Sequence, residues 1–120
     1  MKRFISISVI LILSSCHLNQ LSFDENLTNK INLQYKSQKK PIDLTELTDF
    51  EWDNYIIIGP YQIPEKVEIK YQINLSNISE YATANDSNSL LVFIKNKKSI
   101  KICEIRPRTK FKEKKLLKIE

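Results

Sequence analysis

Glycine occurs once in these 120 residues, at Gly59. Glycine takes positive φ without steric cost, so a chain with one glycine cannot build a glycine-rich phosphate cradle, a collagen-type repeat or a flexible glycine linker. What remains is an ordinary packed fold. Hydrophobic residues make up 42% and charged residues 28%, which argues against wholesale disorder. The length allows one small domain. Two cysteines do not make a disulfide framework, and one histidine rules out a His-rich metal site.

The N-terminus reads as an address. Met1, Lys2 and Arg3 give a positive start, and Phe4 to Leu13 form an apolar stretch of ten residues. Ser14, Ser15 and Cys16 follow, completing the layout of a secretory signal: basic end, short apolar core, small residues at the cut. Ten helical residues span ~15 Å, about half of a ~30 Å hydrocarbon layer, so a transmembrane helix is not expected.

Leu13-Ser14-Ser15-Cys16 resembles the bacterial lipobox. The resemblance implies cleavage between Ser15 and Cys16, a diacylglyceryl thioether on Cys16, and acylation of the new amino group, with palmitate the expected chain type. Two or three acyl chains make a stable anchor where one is marginal. The protein is therefore expected to hang from the membrane of a bacterial cell envelope. His17 stands where an inner-membrane retention signal carries Asp, so the resemblance favours the outer membrane in a host that has one.

From Cys16 onward, 17 basic side chains face 14 acidic ones, a formal +3. The surplus is uneven. Arg106 to Glu120 holds seven basic and two acidic residues, whereas Asp43 to Asp53 holds five carboxylates and no base. This suggests a weakly acidic globule with a basic tail.

His17 to Asn29 is polar and aperiodic, as a tether would be. Lys30 to Lys36 alternates polar and apolar, which predicts a half-buried strand. Asp43 is placed to cap a helical turn reaching Leu47. Trp52 to Ile58 predicts a strand apolar on both faces and hence central, stopped by Gly59-Pro60. Leu90–Lys95 and Ser99–Ile105 predict a hairpin around a three-residue turn, Asn96 to Lys98. Over 64–75 two patterns compete: strict alternation from Val67 to Leu75, and a helix start at Pro64-Glu65.

Few constellations carry chemistry. Cys103 has no histidine near it in sequence and reads as a core-facing thiol. Asp49, Glu51 and Asp53 resemble the start of a calcium loop, but Asn54 and Pro60 stand where Gly and Glu are required. Neither a metal site nor a cofactor is expected. Nucleic-acid binding needs aromatics interleaved with basic residues, and the basic segment offers only Phe111. Trp52 and Tyr61 flank the strand as a possible aromatic contact patch, with Arg106 and Arg108 framing it.

Phe50 to Val67, FEWDNYIIIGPYQIPEKV, resembles the F-x-W-D…G-P-Y segment of a group of small uncharacterised bacterial lipoproteins. In that group an L-x-V-F-x-K run is similar to Leu90–Lys95, and a Pro-Arg pair to Pro107-Arg108. The stretch after Pro-Tyr there is helical, which implies a helix over 64–71. The group has no assigned activity, so the resemblance implies no catalytic residue.

The expected architecture is α+β: a mostly antiparallel sheet of three to four strands with one or two short helices. Residues 1–15 form the signal peptide, 16–29 the lipidated N-terminus and tether, 30–108 the domain, and 109–120 the basic tail. The expected function is a non-enzymatic protein-binding or envelope accessory module. The alternative is a small envelope hydrolase using a carboxylate pair drawn from Asp49, Glu51 and Asp53. A third expectation is attraction of the tail to anionic lipid.

Overall fold

The computed structural model describes residues 20–37, 40–60, 62–78 and 87–117. The segment expected as signal peptide (1–15), the cleavage expected between Ser15 and Cys16, and Tyr61 lie outside the described residues. The fold is α+β, with three antiparallel strands and three helices among the described residues.

The strands are β1 (Asn54–Ile58), β2 (Ser89–Lys95) and β3 (Lys98–Ile105), in the order β1-β2-β3. β2 holds the centre, and all its residues except Lys95 are buried. Alternation divides the core in two. Tyr55, Leu91, Phe93, Cys103 and Ile105 point to one face, where they meet Leu27, Ile31, Ile42, Leu44 and Trp52. Ile56, Ile58, Leu90, Val92, Ile94 and Ile102 point to the other, against Val67, Ile73, Leu75 and Ile78.

The expected strand at 30–36 is instead part of a helix, α1 (Glu25–Ser37). Its start is set by Asp24, whose Oδ1 accepts the Leu27 N–H at 3.0 Å. Leu27, Ile31 and Tyr35 are spaced by four, so a helix gathers them on the core side and leaves Leu33 67% exposed. The alternation of Ile31, Leu33 and Tyr35 was a coincidence of the same residues. Chain expected as tether is docked as well: Leu21 N donates to Asn77 O (2.8 Å), and Asp24 N to Ile102 O (3.0 Å).

α2 (Leu44–Leu47) begins where Asp43 caps it, the Thr45 N–H donating to Asp43 Oδ1 at 3.0 Å. α3 (Pro64–Tyr71) confirms the helix over 64–71, with Pro64 at its first turn. Only Val67 of α3 is buried, and Ile69 is 80% exposed.

β1 is not central, as its apolar faces suggested, but one of the sheet's two outer strands. Its free side is closed by backbone from the C-terminal segment: Tyr55 N donates to Lys115 O and Leu117 N to Tyr55 O, both at 2.9 Å. The same segment clamps Ile42, which donates to Lys110 O (2.9 Å) and accepts from Lys112 N (2.8 Å). Thr109 is buried, and Phe111 and Leu116 pack on the core. The boundaries expected at 29/30 and 108/109 therefore fall inside packed structure.

The hairpin turn has two residues, not three. Lys95 pairs with Lys98, and Asn96 and Lys97 take φ of 52° and 64°. That conformation matches the twist of the flanking strands but usually recruits Gly. Gln72, which ends α3, and Lys115 also have positive φ, whereas Gly59 does not. The one glycine is spent elsewhere: its N–H donates to Gln62 Oε1 at 2.7 Å.

Candidate functional site

Of the residues singled out as a contact patch, Trp52 does not meet Arg106 and Arg108, and Tyr61 lies outside the described residues. Trp52 is 5% exposed, and its Nε1 donates to Thr48 Oγ1 at 2.9 Å. Its ring meets Phe93 edge-on, with centroids 4.9 Å apart, and Lys115 Nζ sits 4.6 Å above it. Lys115 Nζ also donates to Trp52 O at 3.1 Å. Trp52 is thus a core residue capped by a cation, and its ring is not a surface. Arg106 and Arg108 are exposed, but they follow the Ser89–Ile105 end of the hairpin, whereas Trp52 lies beside the Lys95–Lys98 end. Six strand steps, roughly 20 Å, separate those ends.

The acidic trio is largely engaged in holding the hairpin. Glu51 Oε2 pairs with Lys95 Nζ at 3.1 Å, and Asp53 Oδ2 accepts the Asn96 N–H at 2.8 Å. Asp49 is exposed. Cys103 is fully buried, and burial pushes its thiol up to about 11.

A groove that sequence reasoning missed lies between α1 and the end of β3. The helix contributes Glu25, Thr28, Asn29 and Asn32, whose 3-1-3 spacing puts four polar side chains on one stripe. Asn88, Glu104 and Arg106 form the facing wall, and Phe23 and Ile105 supply the apolar parts. Together they enclose a cleft of about 320 Å³. A second depression of about 360 Å³ adjoins it, lined by Tyr35, Ser87, Pro107 and Arg108, and shares Asn88 and Arg106 with the first.

Internal contacts shape these walls. Asn88 Nδ2 donates to Glu104 Oε1, tying the approach to β2 to the end of β3. The Arg106 guanidinium lies 5.7 Å from the Tyr35 ring centroid, which steadies a long side chain against solvent. Asn32 Oδ1 is buried with no hydrogen-bond partner among the described residues. Thr28 Oγ1 is buried as well, beside the Cys103 thiol. A buried carbonyl without a donor costs roughly 1–3 kcal/mol, so Asn32 is held where folding alone gains nothing from its amide.

Chemically the groove offers amides, carboxylates and a guanidinium around a concave space, a set suited to hydrogen-bonded recognition of a polar ligand. Among the described residues no group of His, Cys, Asp and Glu is placed to hold a metal ion. The stripe was invisible in the sequence because Glu25, Thr28 and Asn29 fell in what read as an aperiodic tether and Asn32 in what read as a strand. The chain matches no protein-family model, no curated protein and no solved structure.

Proposed function

We propose that the protein is a lipid-anchored binding module of a bacterial envelope, acting by non-covalent contact through the α1–β3 groove. The observation that carries this reading is the groove itself: seven polar side chains from three separate segments converge on one cleft. Anchoring rests on Leu13-Ser14-Ser15-Cys16, with its basic start and ten apolar residues. The outer membrane is the favoured location, from His17 after Cys16.

The two halves of the proposal fit each other. Leu21 is already bonded to Asn77, and five residues from Cys16 to Leu21 reach at most about 18 Å. Phe23, on the groove, is seven residues from Cys16. An acylated Cys16 therefore holds the groove close to the membrane surface, where it meets whatever polar chains lie there.

Photo-crosslinking in the producing cell tests the proposal. A benzophenone amino acid placed at Asn29 or Arg108 should give a discrete adduct, and one placed at exposed Ile69 should not. Equal labelling from all three positions would contradict a role for the groove.

A further inference from the structure

We infer that the groove is a two-part site for an acidic saccharide, with sugar hydroxyls in the Asn-lined cleft and the acid group on Arg106 and Arg108. This rests on the binding-module reading and names its ligand class.

The cleft dictates the first half. Carboxamides and carboxylates each present two adjacent polar positions, and vicinal hydroxyls on a pyranose ring present two partners at matching spacing. Asn29, Asn32 and Asn88 supply both donors and acceptors, and Glu25 adds acceptors only. No protein hydrogen bond fixes the Asn32 Oδ1 end among the described residues, so rotating that amide delivers an acceptor to an occupant. Phe23, 36% exposed at the same cleft, offers an apolar surface for the C–H face of a ring. At about 320 Å³ the space lies at the small end of ligand sites, a fit for a single sugar ring.

The adjoining depression dictates the second half. Arg106 and Arg108 flank it, and the planar guanidinium fork matches a carboxylate with two parallel hydrogen bonds. Stacking on Tyr35 orients Arg106 beforehand, so less freedom is lost when the anion arrives. Arg106 and Asn88 belong to both spaces, so one ligand reaches both without a gap. A lipid tail is disfavoured by the hydrogen-bonding walls.

The test is an NMR titration of the full chain carrying Cys16→Ser, ¹⁵N-labelled and held in detergent micelles. The probes are an N-acetylglucosaminyl–N-acetylmuramic acid disaccharide, which carries a carboxylate, the neutral N-acetylglucosamine disaccharide, and an acidic pentapeptide as the non-sugar comparison. The acidic probe should shift the side-chain amides of Asn29, Asn32 and Asn88 and the Arg106 Nε–H, with a dissociation constant on the order of 1 mM. The neutral probe should bind about tenfold more weakly, the effect of one bidentate charged contact. Arg108→Gln should shrink that difference and the double substitution Arg106→Gln, Arg108→Gln should erase it, and Asn29→Ala should weaken both probes. Equal affinity for the two probes, shifts confined to other surfaces, or a response only to an acidic pentapeptide would overturn the saccharide assignment. Groove crosslinks in cells alongside any of these results would leave the binding module standing and reject its sugar ligand alone.

Discussion

The Tyr55 hydroxyl donates to the Lys112 carbonyl at 2.8 Å, joining β1 to a segment 57 residues later. Tyr55 is 2% exposed, and its own backbone bonds Lys115 and Leu117. One residue thus bonds the C-terminal segment through its N–H, its C=O and its hydroxyl. The positive charge of that segment conceals a structural strand-edge cover, which protects β1 from pairing with another chain.

Removing the hydroxyl should loosen that cover. Tyr55→Phe leaves the ring against Phe111 and strips one buried bond, at a cost of about 1–2 kcal/mol. The denaturant midpoint should fall with no change in slope, as equilibrium urea unfolding will show.

Asp43 makes the fold acid-sensitive. The Thr45 hydroxyl, then its backbone N–H and the Lys114 ammonium, hold the carboxyl down at about 2 against an ordinary 3.8. A depressed carboxyl stabilises the fold above its unfolded value and ceases to do so as pH falls through its folded value. Stability should therefore drop between about pH 4 and pH 2. Asp43→Asn should be less stable at neutral pH and lose less over that window. Urea midpoints from pH 2 to 6 give the comparison.

Cys103 should be inert until the sheet opens. With the thiol fully buried and raised to about 11, almost none is thiolate at neutral pH. In the Cys16→Ser chain it is the sole cysteine, so labelling by a thiol reagent should track global unfolding. Rapid labelling without denaturant would contradict the packing around it.

The hairpin turn carries avoidable strain. Lys97 sits at φ 64°, where a side chain other than Gly or Asn is disfavoured by roughly 1–2 kcal/mol. Lys97→Gly should raise stability by up to about 1 kcal/mol, since glycine's larger unfolded-state entropy offsets part of the gain. A thermal melt of the two chains decides it.

Local pattern made some of this fold legible and hid the rest. The β2–β3 pairing and the Asp43 cap each follow from residues adjacent in sequence, where a single principle operates. At Pro64 the helix start competed with the alternation of Val67 to Leu75, and the resemblance alone favoured the helix. The start of α1 was hidden because Ile31 and Tyr35 satisfy both a two-residue and a four-residue period, and the deciding partner, Leu27, lay in what read as a tether. The C-terminal segment was hidden because its lysines outnumber Phe111, Leu116 and Leu117, although the apolar side chains set its path. β1 read as central because its second neighbour is that same segment. The groove needed α1 first: without the helix, its polar stripe does not exist.

Intact-mass spectrometry of the chain extracted from producing-cell membranes tests the central claim most directly. The expected species begins at Cys16 and carries the added mass of a diacylglyceryl group and an amide-linked acyl chain. Cys16→Ser should abolish that species and release the protein from the lipid-anchored pool. A wild-type chain of unmodified mass, or one cut elsewhere and equally membrane-bound after Cys16→Ser, would contradict it.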